Sequence, residues 1–90
     1  MLEMKRYYAY VLQSEIDGRH YKGHTERLAQ RVFEHNAGKC KSTKGYRPWN
    51  LVYYEEFVTR KEAIEKERYF KSGIGREYLK NKIRPRGATE

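Results

Sequence analysis

The first stretch of the chain with a clear hydropathic character is 6–13, Arg-Tyr-Tyr-Ala-Tyr-Val-Leu-Gln, apolar or aromatic at nearly every position. A run without polar alternation suits a central strand covered on both faces. Residues 19–24 read as its hairpin partner, and Asp17-Gly18 between the two favours the positive φ values of tight turns. A period of three to four then places Leu28, Ala29, Val32 and Phe33 on one face, which predicts a helix over 26–36 capped by Thr25. Residues 37–48 lose the apolar period, hold two glycines and four basic residues, and read as a loop. Strand composition returns over 49–58. Thr59 followed by Glu62 is a capping-box pattern that opens a second helix to Ser72, with Gly73 in the position of a C-terminal cap. Residues 75–83 predict a short third helix, and 84–90 a loose tail. The order is ββαβαα: an α+β fold with a small three-stranded sheet flanked by helices, one domain over 1–83.

Composition narrows the class of partner. Ninety residues lie near the lower end of what folds alone without disulfides or structural metals. Nine tyrosines offset the modest 38% hydrophobic content, because each buries ring area while keeping a polar tip. A formal charge of +8 points to an anionic partner, most simply nucleic acid. No apolar run approaches the roughly 18–20 residues of a bilayer span, and the N-terminus carries no signal-like apolar stretch. One cysteine, Cys40, has no internal disulfide partner, so a cytoplasmic monomer is expected. Flanking Lys39 and Lys41 favour its thiolate, but no base stands near it in sequence, and we read it as incidental.

The helical periods single out three residues. On the first helix His35 falls within the apolar stripe and Arg31 at its border, one turn earlier. A histidine there is ordinarily a satisfied core residue, but an arginine beside the core requires an anion, either a carboxylate or a phosphate. On the second helix Glu67 falls in the middle of the apolar stripe. It needs a salt bridge, to Arg31 or Lys71, or a divalent metal. Tyr10 and Tyr21 sit on the two paired strands and could face Arg31 and His35 across a small gap. Phenol, guanidinium and imidazole together suit proton transfer beside a phosphate. The loop cations Lys39, Lys41, Lys44 and Arg47, with Lys71 on the second helix, are candidate contacts to a nucleic-acid backbone. The loop matches no nucleotide-binding phosphate-loop pattern.

At these residues the chain resembles the GIY-YIG nuclease superfamily over about residues 6–83. Tyr8-Ala9-Tyr10 corresponds to the first family tripeptide and Tyr21-Lys22-Gly23 to the second, with Tyr8 standing where the family name has glycine and Lys22 where it has an apolar residue. The resemblance places the family's helix arginine on Arg31, the His or Tyr one turn later on His35, and the metal-binding glutamate on Glu67. It also marks His24 and Asn81 as auxiliary candidates. It implies a metal-dependent endonuclease using one Mg²⁺ or Mn²⁺ on DNA, or RNA, similar to the catalytic domain of the nicking subunit of bacterial excision repair. In that reading Arg31 steadies the phosphate and a tyrosine, Tyr10 or Tyr21, handles the water. The rival is a non-catalytic module that stacks single-stranded bases on an aromatic sheet, with the basic loop on the backbone.

Overall fold

A computed structural model of the chain describes residues 5–83. Three strands, β1 (Tyr7–Ser14), β2 (His20–Thr25) and β3 (Trp49–Phe57), form one antiparallel sheet in the order β2-β1-β3. Three helices, α1 (Leu28–Asn36), α2 (Arg60–Lys71) and α3 (Gly73–Lys82), complete the expected ββαβαα order. A short 3₁₀ turn, Lys44–Tyr46, interrupts the basic loop.

The apolar run of β1 is central and covered on both sides, as its lack of alternation requires. Ala9 and Val11 face α2 and α3 and pack with Phe70, Leu79 and Ile83. Tyr10 and Leu12 point the other way and pack with Trp49, Tyr21, and Leu28 and Val32 of α1. The strand thus sorts its side chains into two small cores by the two-residue period of extended backbone. Phe70 is fully buried; its truncation to alanine would cost about 3–5 kcal/mol. A second device holds α3 down. The Tyr53 and Tyr78 hydroxyls each donate to Glu55 Oε2 at 2.6 Å, and the Lys66 ammonium lies over the Tyr69 and Tyr78 rings. Much of the tyrosine content is therefore spent on packing.

Three local expectations are corrected. Thr25 does not cap α1: its hydroxyl accepts from the Arg27 amide, and the helix begins at Leu28 with no side-chain cap bond. Gly73 is not a C-terminal cap. Ser72, in extended backbone, ends α2, and its hydroxyl accepts from the Gly75 amide to start α3, so Gly73 is already helical. Asp17-Gly18 does not form a two-residue turn either. Gly18 has φ of 79° but Asp17 does not share the positive region, and the loop closes more widely, through Ser14 N–H to Arg19 C=O and Gly18 N–H to Ser14 C=O. The Thr59–Glu62 capping box is present with both its bonds. The expected tail, 84–90, lies outside the described residues.

Candidate active site

Register builds the site. The wide loop between β1 and β2 sets Tyr10 opposite Gly23 and Leu12 opposite Tyr21. Tyr10 and Tyr21 therefore share the α1 face of the sheet, with ring centroids 6.3 Å apart. A Cβ on Gly23 would stand 2.6 Å from the Tyr10 hydroxyl oxygen, so the glycine leaves the space the phenol fills. Above them, α1 brings in His35, fully buried, whose Nε2 lies 3.0 Å from the Tyr10 hydroxyl. The Tyr21 ring packs on the imidazole at 4.8 Å between centroids. On its far side His35 Nδ1 lies 2.8 Å from the Thr43 hydroxyl. The loop 37–48 thus reaches into the core, and the Trp49 indole N–H fixes it there by donating to the Thr43 carbonyl.

Arg31 lies one turn before His35 on α1, near enough for its charge to act on the Tyr10 phenol, and its Nη1 donates to Glu34 at 3.0 Å. The anion that a guanidinium beside the core demands is therefore Glu34 in the resting protein. Burial works against the Arg31 charge, but the bonds to Tyr10 and Glu34 outweigh it, and its pKa is raised. Burial pushes the Tyr10 phenol up to about 12 even though Arg31 pulls it back. His35 is held below its ordinary value by burial, then by the Arg31 charge, with Glu34 opposing.

Glu67 occupies the other side of the sheet edge. It rises from α2, and its side chain is 17% exposed. Oε1 lies 2.6 Å from His24 Nδ1, on β2, and Oε2 accepts from Lys71 at 2.7 Å. Of the two expected salt-bridge partners, Lys71 is found and Arg31 is not; the second partner is His24. Burial alone would raise the Glu67 pKa, but Lys71 and His24 overcome it and hold the carboxyl below its usual range. The four groups Tyr10, Tyr21, Arg31 and His35 are thus brought together, and Glu67 stands across the edge strand β2 from them. A cleft of about 520 Å³ joins the halves, lined by His24 on one side and by Arg31 and Glu34 on the other.

The remaining sequence candidates divide. Lys39, Lys41, Lys44 and Arg47 are exposed on the loop that carries Thr43. Arg47 also braces this loop, donating through Nε to the Lys44 carbonyl. Lys71 is half exposed at Glu67. Asn81 lies on the exposed face of α3, and its amide donates to the Glu77 carbonyl of its own helix. Sequence reasoning missed Thr43 and Glu34. Thr43 carried no signal, since its contact depends on how a loop folds. Glu34 could have been found, because it lies three residues after Arg31 on the same helix.

A divalent ion is compatible with the donors present. Among the described residues no three His, Cys, Asp or Glu side chains cluster. Glu67 is one ionised carboxylate with free lone pairs beside a cleft, and Mg²⁺ is commonly held by one or two carboxylates, with water and phosphate oxygens completing its shell.

Comparison with known proteins agrees with this geometry. The GIY-YIG catalytic domain model matches residues 6–82. A UPF0213 protein of Bacillus pumilus is 42% identical over 72 residues, covering 79% of this chain and 72% of that protein. The UPF0213 protein YazA of Bacillus subtilis is 41% identical over 71 residues, covering 78% and 71%. The solution NMR structure of the UPF0213 protein BH0048 from Bacillus halodurans superposes with a TM-score of 0.50 at 34% identity, covering 82% of this chain and 81% of that one. None of these relatives' names specifies an activity. With the two tyrosine tripeptides in register, Arg31 and His35 above them and the family model spanning the described fold, the chain belongs to the GIY-YIG catalytic domain family, a nuclease family.

Proposed function

We propose that the protein is a metal-dependent endonuclease that hydrolyses DNA phosphodiester bonds, selecting strand state or structure rather than sequence. The observation that carries this is the cleft at the β2 edge, whose lining includes both Arg31 and His24, the residue whose Nδ1 lies 2.6 Å from Glu67. Hydrolysis forms a bond from water oxygen to phosphorus, breaks the bond to the leaving sugar oxygen and frees one proton of the water. Arg31 has five N–H donors and spends few of them internally, so it can hold the phosphate as charge builds up on it. Glu67 would hold a Mg²⁺ or Mn²⁺ ion, which would supply Lewis-acid polarisation of the phosphate.

Burial divides the labour of the tyrosines. Tyr10 is 1% exposed, and its hydroxyl is covered by Gly23, so it acts on Arg31 and His35. Tyr21 is only half-buried and is the more accessible phenol of the two. We assign Tyr21 to orient the water and, in its phenolate form, to accept its proton, while the leaving sugar oxygen takes up a proton from solvent; the His35 ring packs beside it. The exposed cations Lys39, Lys41, Lys44 and Arg47 carry the flanking backbone of the nucleic acid. The base-stacking alternative has less to stand on. Of the nine tyrosines Tyr54 alone is exposed, and most of the others are engaged in the two cores and the Glu55 network.

The test is cleavage of labelled single-stranded, duplex and branched DNA, and of RNA, with Mg²⁺ or Mn²⁺. Arg31→Ala and Glu67→Ala should each lose on the order of 10²–10³-fold of the rate, and EDTA should abolish it. Near-wild-type cutting by folded Glu67→Ala protein overturns the mechanism.

A further inference from the structure

The groups around His35 form a chain whose direction can be worked out. The Tyr10 hydroxyl is hydrogen-bonded to His35 Nε2 at 3.0 Å, with the Arg31 guanidinium near enough for its charge to act on the phenol. A guanidinium has donors only, so the buried Tyr10 proton can go only to Nε2. A neutral imidazole that accepts at Nε2 carries its proton on Nδ1. The His35 Nδ1–H therefore donates to the Thr43 hydroxyl, and Thr43 must give its own proton elsewhere. Its hydroxyl donates to the Cys40 carbonyl at 3.3 Å, and a carbonyl is an acceptor only. Both ends of the chain give the same answer. Hydrogen bonds run one way, from Tyr10 through His35 and Thr43 to a backbone carbonyl, with the Tyr10 lone pairs turned to the Arg31 charge.

We propose that Thr43 is a positioning residue for Arg31, acting by fixing the Nδ1–H tautomer of His35. This rests on the nuclease reading above only for the consequence to the rate. With the tautomer fixed, the Tyr10 proton points at His35 and the lone pairs of its oxygen are left for Arg31. If His35 instead carried its proton on Nε2, the Tyr10 hydroxyl would accept from it and turn its own proton toward the guanidinium. Arg31 would then face the phenol's proton instead of its lone pairs and keep only Glu34, at the cleft. The construction around Thr43 suits this role. It is 1% exposed, its carbonyl is held by the Trp49 indole, and its amide, like that of Lys44, donates to the same Cys40 carbonyl. The loop is thereby fixed at the point where the chain of bonds ends.

The experiment compares wild type with Thr43→Val, which keeps the shape and removes the hydroxyl, and Thr43→Ser, which keeps the hydroxyl. Long-range ¹⁵N–¹H NMR reads the His35 tautomer directly, and the Arg31 Nε–Hε resonance reports the guanidinium environment. Expected are the Nδ1–H form in wild type and Thr43→Ser, and a mixture in Thr43→Val with a displaced Arg31 signal. The Thr43→Val kcat should fall on the order of 10- to 100-fold, with rescue in Thr43→Ser. An Nε2–H tautomer in wild type overturns the proposal, as does folded Thr43→Val with an unmoved tautomer and Arg31 signal. If Thr43→Val does not fold, the wild-type and Thr43→Ser tautomers decide. A wild-type protein in the Nδ1–H form that cleaves none of the substrates supports the assigned bond direction and overturns the nuclease reading instead.

Discussion

Gly23 lies directly opposite Tyr10 across the β1–β2 ladder, and the space where its side chain would be is taken by the Tyr10 hydroxyl. The glycine of the second tripeptide is thus the floor under the tyrosine of the first. Gly23→Ala must displace the phenol from His35 Nε2, because the backbone of a paired strand gives less readily than a ring. We predict a stability loss of about 1–3 kcal/mol and a fall in cleavage larger than that loss explains. Urea unfolding and single-turnover rates on the same preparation check this, and wild-type kinetics would refute it.

In the proposed nuclease, Glu34 and the phosphate would compete for Arg31. In the resting protein Glu34 accepts from Arg31 and Gln30 and adds negative charge to the cleft wall. Glu34→Gln keeps the shape and removes the charge. It should tighten DNA binding roughly 2- to 10-fold at low salt, with the gain shrinking as salt rises. Fluorescence anisotropy at two ionic strengths measures both. Unchanged or weaker binding would show that Glu34 serves only to hold Arg31.

Folding should depend on pH through His35. Its pKa in the folded protein is depressed, by burial first and the Arg31 charge second. Above the ordinary histidine value of about 6.5 both folded and unfolded chains hold it neutral, and its contribution is complete. Below that value the unfolded chain takes up the proton first, so stability falls until the folded imidazole titrates as well. Urea midpoints should therefore drop from about pH 7 to pH 5, and the slope should be smaller in His35→Gln. Equal slopes would assign the effect to other groups.

Glu67 predicts a metal effect that does not need a substrate. Binding to the folded protein alone raises its stability by mass action, so millimolar Mg²⁺ or Mn²⁺ should raise the wild-type Tm and leave Glu67→Ala unmoved. Without metal, Glu67→Ala should lose on the order of 1 kcal/mol or less, because Lys71 is left without its counter-charge and His24 without its hydrogen-bond partner. Differential scanning calorimetry with and without EDTA separates the two effects. A metal shift that survives in Glu67→Ala would place the ion elsewhere.

The fold was largely legible because its signals are local. The unbroken apolar run of β1, the Thr59–Glu62 box and the period of α1 each follow from neighbouring residues, and each is found where expected within a residue or two. The register was not legible. A two-residue turn at Asp17-Gly18 would have set Tyr10 against Thr25, and only the wider loop sets it against Gly23. Arg31, His35 and Glu67 were marked by a polar group falling on or beside an apolar stripe, a signal carried by periodicity alone. Their partners were harder. Lys71 is one of the two expected at Glu67, but Thr43 comes from a loop, and His24 reaches Glu67 from an edge strand 43 positions away.

At the far end of α1, the Asn36 side chain accepts from the Trp49 amide at 2.6 Å and donates to the Trp49 carbonyl at 2.9 Å. One carboxamide takes the place of a neighbouring peptide and binds the helix to β3 as a strand would be bound. The other end of α1 has no side-chain cap. The helix is therefore held next to His35 by the carboxamide and toward Leu28 by the packing of Leu28 and Val32 on the sheet, with Arg31 between. His35 thereby keeps a constant address, and in the proposed nuclease a phosphate drawn to Arg31 would meet a helix anchored through two unlike contacts, one polar and one apolar.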